Sequence, residues 1–171
     1  MMAGSYRLGD IRWSRFLFPI FVKPIREKLF TGLVLESAAD VDKIQIGISG
    51  VEDLDSEQVI VAPYKHILSE ARFFIVGGKI TTGSFYRRYG RPERINADTV
   101  EGVEERQFVS YLIESFGCPD DGFVIDVAKI YHDRTVEFKI VELNNLNSAG
   151  IYQSNVDSLT THLLYYDKRS V

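Results

Sequence analysis

Short β-rich apolar runs, broken by glycine, proline and charged turns, recur along the chain and predict a sheet-dominated protein with few helices. Residues 1–15 carry Gly4, Gly9 and scattered charges without periodicity, and read as a loosely held arm. Runs 18–25 and 31–37 read as strands joined by the polar link Arg26-Glu27-Lys28. A short helix over 38–44, turns at Gly47 and Gly50, an acidic loop over 51–56 and a strand over 57–64 follow. Residues 89–98 read as a polar loop, and 100–116 as a helix with Val100, Val103, Phe108, Tyr111, Leu112 and Phe116 inward, capped by Asp98 or Thr99. A last helix over 156–166 turns Leu159, Leu163 and Leu164 inward.

Two hairpins carry the chemistry. Gly77-Gly78 supplies both positive-φ positions of a type I′ turn, so 70–76 pairs with 79–88. Setting Val76 against Lys79 puts Arg72 opposite Gly83 and Glu70 opposite Phe85, with Glu70, Arg72 and Arg87 on one face. The second hairpin joins 123–130 to 136–143. A three-residue loop, His132-Asp133-Arg134, sets Asp126 opposite Ile140 and Val124 opposite Glu142, so that Asp126, Glu142 and Asn144 share a face. A two-residue His132-Asp133 loop would instead turn Glu142 away from Asp126. Acids inside strand-like runs are costly without a compensating charge, and carboxylate and amide oxygens without His or Cys suit Mg²⁺ or Mn²⁺. Mg²⁺ keeps waters and borrows phosphate oxygens, which implies a nucleotide. The competing reading of the same residues is a hairpin whose acids face solvent.

Composition narrows the class. The 171 residues are 45% hydrophobic and 26% charged, which fits one sizeable domain or two small lobes and excludes disorder. The net charge of −4 argues against broad nucleic-acid binding; a sheet-based binder using Arg72, Arg87 and Arg88 is a distant third reading. Cys118 is the single cysteine and allows no internal disulfide; its ordinary reading is a helix-end apolar residue. The longest early apolar run, residues 16–22, is too short to span a bilayer and is interrupted by Pro19, so the chain reads as cytoplasmic, with its oligomeric state open.

Among the cations, Lys23 ends an apolar strand and Lys28 follows; either is a point charge suited to phosphate, and equally an ordinary solvated lysine. Arg72 and Arg87 can grip oxyanions bidentately, or pair with Glu70 across the strands. His66, His132 and His162 show no metal-ligand spacing, and no Ser or Cys carries a nucleophile motif.

In order, Phe21-Val22-Lys23-Pro24, Lys28-Leu29-Phe30-Thr31-Gly32, Ser69-Glu70-Ala71-Arg72-Phe73-Phe74, Gly83-Ser84-Phe85-Tyr86-Arg87, Val124-Ile125-Asp126-Val127 and Glu142-Leu143-Asn144-Asn145 resemble the ATP-grasp superfamily, specifically its clade named for two arginines and a lysine. The resemblance covers about residues 18–166. It implies an α+β fold: an arm (1–17), an N-terminal lobe (18–66) and a C-terminal lobe with the metal site (67–171), ATP lying in a cleft between the lobes. By that resemblance Asp126, Glu142 and Asn144 hold magnesium, Lys23 and Lys28 contact phosphate, and Val59-Ile60-Val61-Ala62 meets adenine through its backbone. Glu70 supports the nucleotide site, while Arg72 and Arg87 serve the γ-phosphate and the activated substrate. The implied reaction phosphorylates a carboxylate, which an amine or other nucleophile then attacks, on small molecules or on a peptide or protein. The alternative is a nucleotide-binding regulatory or assembly module without turnover. Only about 17 residues precede the first matching strand, which suggests a minimal form lacking the usual preceding domain.

Overall fold

The computed structural model describes residues 3–26, 29–46 and 53–167, without the side chains at 45, 46 and 167. Lys28 and the predicted turns at Gly47 and Gly50 lie outside the described residues. The chain divides into two compact units, Met1–Tyr64 and Lys65–Val171.

The first unit is a four-stranded antiparallel sheet of β1 (Gly4–Arg7), β2 (Ile20–Pro24), β3 (Leu33–Leu35) and β4 (Gln58–Pro63), in the order β1-β4-β2-β3. Short α1 (Asp42–Ile46) follows a 3₁₀ turn over Ala38–Val41, started by a reciprocal Ser37/Asp40 cap. Ile20, Val22, Leu35, Ile44, Val59 and Val61 form its core. The loosely held arm is not what forms: β1 pairs Tyr6 with Val59, Leu8 is buried, and the Leu8 amide donates to the Glu57 carbonyl at 2.9 Å. A four-residue strand gives too little alternation to stand out, and its partner lies about fifty residues away.

The second unit is a five-stranded antiparallel sheet of β5 (His66–Val76), β6 (Lys79–Arg88), β7 (Arg91–Asn96), β8 (Gly122–His132) and β9 (Thr135–Asn145), in the order β7-β6-β5-β8-β9. Helix α2 (Val103–Phe116) covers one face, over Ala71, Phe73, Ile75, Phe85, Phe123, Ile125 and Val127. Helix α3 (Val156–Asp167) covers part of the other, over Phe74, Val76 and Val124. The same face carries Glu70, Arg72 and Asp126 further along β5 and β8, since alternate residues of a strand share a face.

Several sequence expectations fail here for local reasons. Residues 91–96 form edge strand β7 although their polar character read as loop, because an edge strand needs no apolar alternation. In α2 the inward stripe is Val109, with Phe108, Leu112 and Ile113 packed on the core, whereas Val100 is 84% exposed and Phe116 77%. The α-helix proper begins after a 3₁₀ turn at Val100–Gly102, with no side-chain cap from Asp98 or Thr99. In α3 Leu159 is buried but Leu163 and Leu164 are exposed, and Cys118 is exposed beyond the end of α2.

Candidate functional site

Register decides which charges meet. The β8–β9 turn is the two residues Asp133-Arg134, both at positive φ (48° and 64°), so His132 pairs with Thr135. Continued regularly, that register would put Glu142 on the face opposite Asp126. A bulge at Val141 adds one residue to β9 and restores the match: Asp126 lies directly opposite Glu142, and Val124 opposite Asn144. The predicted face-sharing of Asp126, Glu142 and Asn144 therefore exists, through a different loop and a different pairing from those expected.

The first hairpin turns at Gly77-Gly78 with Val76 against Lys79 as predicted, but two irregularities follow. An extra residue at Thr81 moves Arg72 opposite Ser84, and another at Tyr86 moves Glu70 opposite Arg87. On its other side β5 sets Arg72 directly across from Asp126.

The result is a charged cluster on one sheet face. Arg72 Nε and Nη2 donate to the two Asp126 carboxylate oxygens, each at 2.8 Å, and Nη1 donates to the Gly150 carbonyl at 3.3 Å. Glu142 Oε1 lies 3.7 Å from Arg72 Nη2 and accepts from the Asn144 amide at 2.9 Å. Arg87 Nε is 3.4 Å from Glu70 Oε2, close enough for an ion pair but without hydrogen-bond alignment. The guanidinium of Arg72 sits over the rings of Tyr86 and Tyr152, with centroids 5.8 and 5.4 Å away, and those two rings stack on each other.

Three carboxylates thus face two guanidiniums, and burial perturbs two of the acids, Asp126 and Glu70. Burial raises the Asp126 pKa, against the lowering effect of Arg72. Burial likewise raises Glu70, with Arg87 opposing and Asp126 and Glu142 adding to the rise. The hydrogen bond to Asp126 raises Arg72, so this cation stays charged. Tyr86 is pushed up by burial and by the neighbouring acids. The arrangement can hold a cation or a cation-bearing phosphate at its open side, where the Glu142 side chain is 48% exposed.

The donor set fits a hard ion in chemistry but is incomplete as a resident site. Both Asp126 oxygens already accept from Arg72, and among the described residues no group of three or more His, Cys, Asp or Glu side chains is placed to hold a metal. Glu142 and the Asn144 amide oxygen are the available ligands, which suits an ion that arrives with phosphate oxygens of its own.

Other expected positions fare differently. Arg72, expected to grip an oxyanion or to pair across the strands, gives three of its five N–H donors to Asp126 and Gly150 and is buried, whereas the Arg87 side chain is half-exposed. Lys23 is exposed on β2, opposite Ile60. Val59, Ile60 and Val61, expected to meet adenine through their backbone, lie in the interior strand β4, paired to β1 on one side and β2 on the other, with Val59 and Val61 in the buried core. Ala62 pairs with Phe21 of β2. Sequence reasoning missed Tyr86, Tyr152 and the Gly150 carbonyl. Tyr86 sits at the irregularity beside Arg87, and residues 149–155 return to β6 through Gln153 and Asn155 amides bonded to Ser84 and Thr82, contacts that no local pattern announces.

Comparison with known proteins agrees with this architecture. The sequence matches, over residues 5–161, the pattern of family 2 in the clade of ATP-grasp domains named for two arginines and a lysine. No curated protein matches it significantly. Among solved structures, the ATP-grasp ligase PsnB complexed with minimal precursor superposes with a TM-score of 0.57 at 13% identity, covering 96% of this chain and 54% of its own. L-amino acid ligase from Bacillus licheniformis gives 0.55 at 9% identity, covering 84% and 38%. D-alanine–D-alanine ligase from Bacillus anthracis complexed with ATP gives 0.54 at 13% identity, covering 99% and 62%. The chain therefore spans between about a third and two thirds of the length of these proteins. At such identities the likeness is one of fold, an α+β ATP-grasp architecture. Matched over nearly its whole length by the family pattern, the chain belongs to the ATP-grasp family, in the clade named for two arginines and a lysine.

Proposed function

We propose that the protein is an ATP- and Mg²⁺-dependent ligase that activates a carboxylate as an acyl phosphate for attack by an amine or another nucleophile, with a peptide or protein among its substrates. The supporting observation is the cluster of Glu70, Arg72, Arg87, Asp126, Glu142 and Asn144 on one sheet face of a family member. Phosphoryl transfer needs charge neutralisation and positioning rather than a side-chain nucleophile, and the cluster supplies both.

In this reading Glu142 and Asn144, with Asp126 behind them, would hold Mg²⁺, and Mn²⁺ could take the same oxygen ligands. When bound, the ion would neutralise phosphate charge. Arg72 locks Asp126 and steadies Glu142, so it is a positioning residue; Arg87, oriented by Glu70, is the guanidinium free to meet the transferred phosphoryl group. Lys23 serves as a phosphate contact of the first unit. A carboxylate oxygen of the substrate attacks the γ-phosphorus with ADP leaving, and the nucleophile then displaces inorganic phosphate.

A second reading, a nucleotide-binding module without turnover, is favoured by one specific observation: Arg72 occupies both Asp126 oxygens. The two readings separate by measuring ADP release from ATP and Mg²⁺ with a panel of amino acids and peptides, beside calorimetric titration of ATP with and without Mg²⁺. Acceptor-dependent ADP release, reduced more by Arg87→Lys than ATP affinity is, supports the ligase. Mg²⁺-dependent binding with no ADP release across the panel supports the module, and absence of nucleotide binding overturns both.

A further inference from the structure

Strand β9 lies at the edge of the five-stranded sheet and, among the described residues, pairs with β8 alone. An edge strand running from Thr135 to Asn145 presents a long row of outward amides and carbonyls to any strand that can match it. Alternation puts Val136, Phe138 and Ile140 on the face that carries α2: Phe138 stacks on Phe108 of the helix, and Ile140 stands opposite Val127 of the core. Val136 and Ile140 are 48% and 49% exposed, and Tyr131, paired with Val136, is 47% exposed. The other face carries Glu137 and Lys139, an ion pair of 2.8 Å. Pairing with β8 is regular from Val136 to Ile140 and breaks only beyond, at the bulge.

This regular stretch is complementary to itself. Laid antiparallel to a copy of itself about Phe138, it sets Val136 opposite Ile140 of the second copy, Phe138 opposite Phe138, and Glu137 opposite Lys139, the charge pair occurring twice by symmetry. Apolar side chains then meet on the α2 face and opposite charges on the other, the pairings that stabilise neighbouring strands. Moving the two-fold axis by one residue sets Glu137 against Glu137 or Lys139 against Lys139, so the charges select a single register. The same two charges repel strands of other patterns, which is how exposed edges are protected.

We infer that β9 is the pairing edge of a homodimer, in which the sheets of two copies join across a two-fold axis at Phe138 into one continuous sheet. The paired residues end at Ile140, where the bulge begins, and do not include Glu142 or Asn144. The inference stands independently of the ligase reading.

The test is analytical ultracentrifugation of the full chain at roughly 1–500 µM, a range that brackets the weak association a contact this short supports. The expected mass rises from monomer to dimer and no further, because a two-fold contact closes on itself. Lys139→Glu and Glu137→Lys each place like charges opposite one another, and each should raise the dissociation constant about tenfold or more. Mixed in equal amounts, these two variants should associate with each other at close to the natural affinity. The double swap Glu137→Lys with Lys139→Glu leaves the net charge at −4 and should restore self-association. Both positions lie outside the core, so the variants should melt within a few degrees of the natural protein, which shows that they are folded. A monomer at every concentration, leaving the edge to a different kind of chain, overturns the pairing. So does dimerisation that Lys139→Glu leaves unchanged, or that neither the mixture nor the double swap restores.

Discussion

Asp126→Asn tests the central electrostatic argument. The side chains of Arg72 and Asp126 are 10% and 2% exposed and share two hydrogen bonds of 2.8 Å, so the substitution removes a buried counter-charge and one of the two acceptors. A hydrogen bond to a charged group contributes about 1.5–3 kcal/mol, and breaking a buried ion pair costs about 3–5 kcal/mol. Glu142 at 3.7 Å, the Gly150 carbonyl and the two tyrosine rings retain part of the compensation for Arg72. The expected loss is about 2–4 kcal/mol, or roughly 4–16 °C in melting temperature for a chain of this size. Urea denaturation at neutral pH without nucleotide measures it. Glu142→Gln, at a half-exposed carboxylate, should stay within about 0.5 kcal/mol. Combining Asp126→Asn with Arg72→Met should give a loss at least about 1 kcal/mol smaller than the sum of the two single losses, because the pair is coupled. An Asp126→Asn loss below about 1 kcal/mol, or strict additivity, would refute the claim that Arg72 depends on Asp126.

Three further outcomes follow from the geometry. Because burial raises the folded-state pKa of Glu70, the folded protein takes up this proton before the unfolded chain as pH falls, so the penalty of its ionisation is present at neutral pH and relieved below. Glu70→Gln should therefore gain melting temperature relative to the natural protein at about pH 7.5 more than at about pH 5; a gain that grows on acidification would contradict it. A Cβ at Gly102 would lie 2.1 Å from the Ala97 carbonyl oxygen, a backbone atom, so Gly102→Ala should cost on the order of 1–3 kcal/mol in chemical denaturation. Deleting Val141 removes the bulge while leaving Glu142 opposite Asp126, so Mg²⁺-dependent nucleotide affinity, where present, should change less than on Glu142→Gln; the opposite order would show that the bulge itself shapes the site.

Seven of the nine strands, both hairpins and the candidate charges were legible from the sequence, because β-rich runs, glycine turns and misplaced acids are local signals. The glycine pair at 77–78 fixed one turn outright, since two adjacent positive-φ positions leave few alternatives. Edge strands β1 and β7 were not legible, since their stability comes from partners rather than from their own pattern. Nor was the register of either hairpin: the bulges at Thr81, Tyr86 and Val141 each shift a whole ladder by one residue, and no local propensity marks them. The composition of the site, acids and arginines without a nucleophile, was therefore written in the chain, while the tertiary structure alone decided that Arg72 donates to both oxygens of Asp126, that Tyr86 and Tyr152 flank it, and that β9 lies at the edge of its sheet. Charge type is a property of single residues, whereas which charges neutralise one another depends on contacts between strands far apart in sequence.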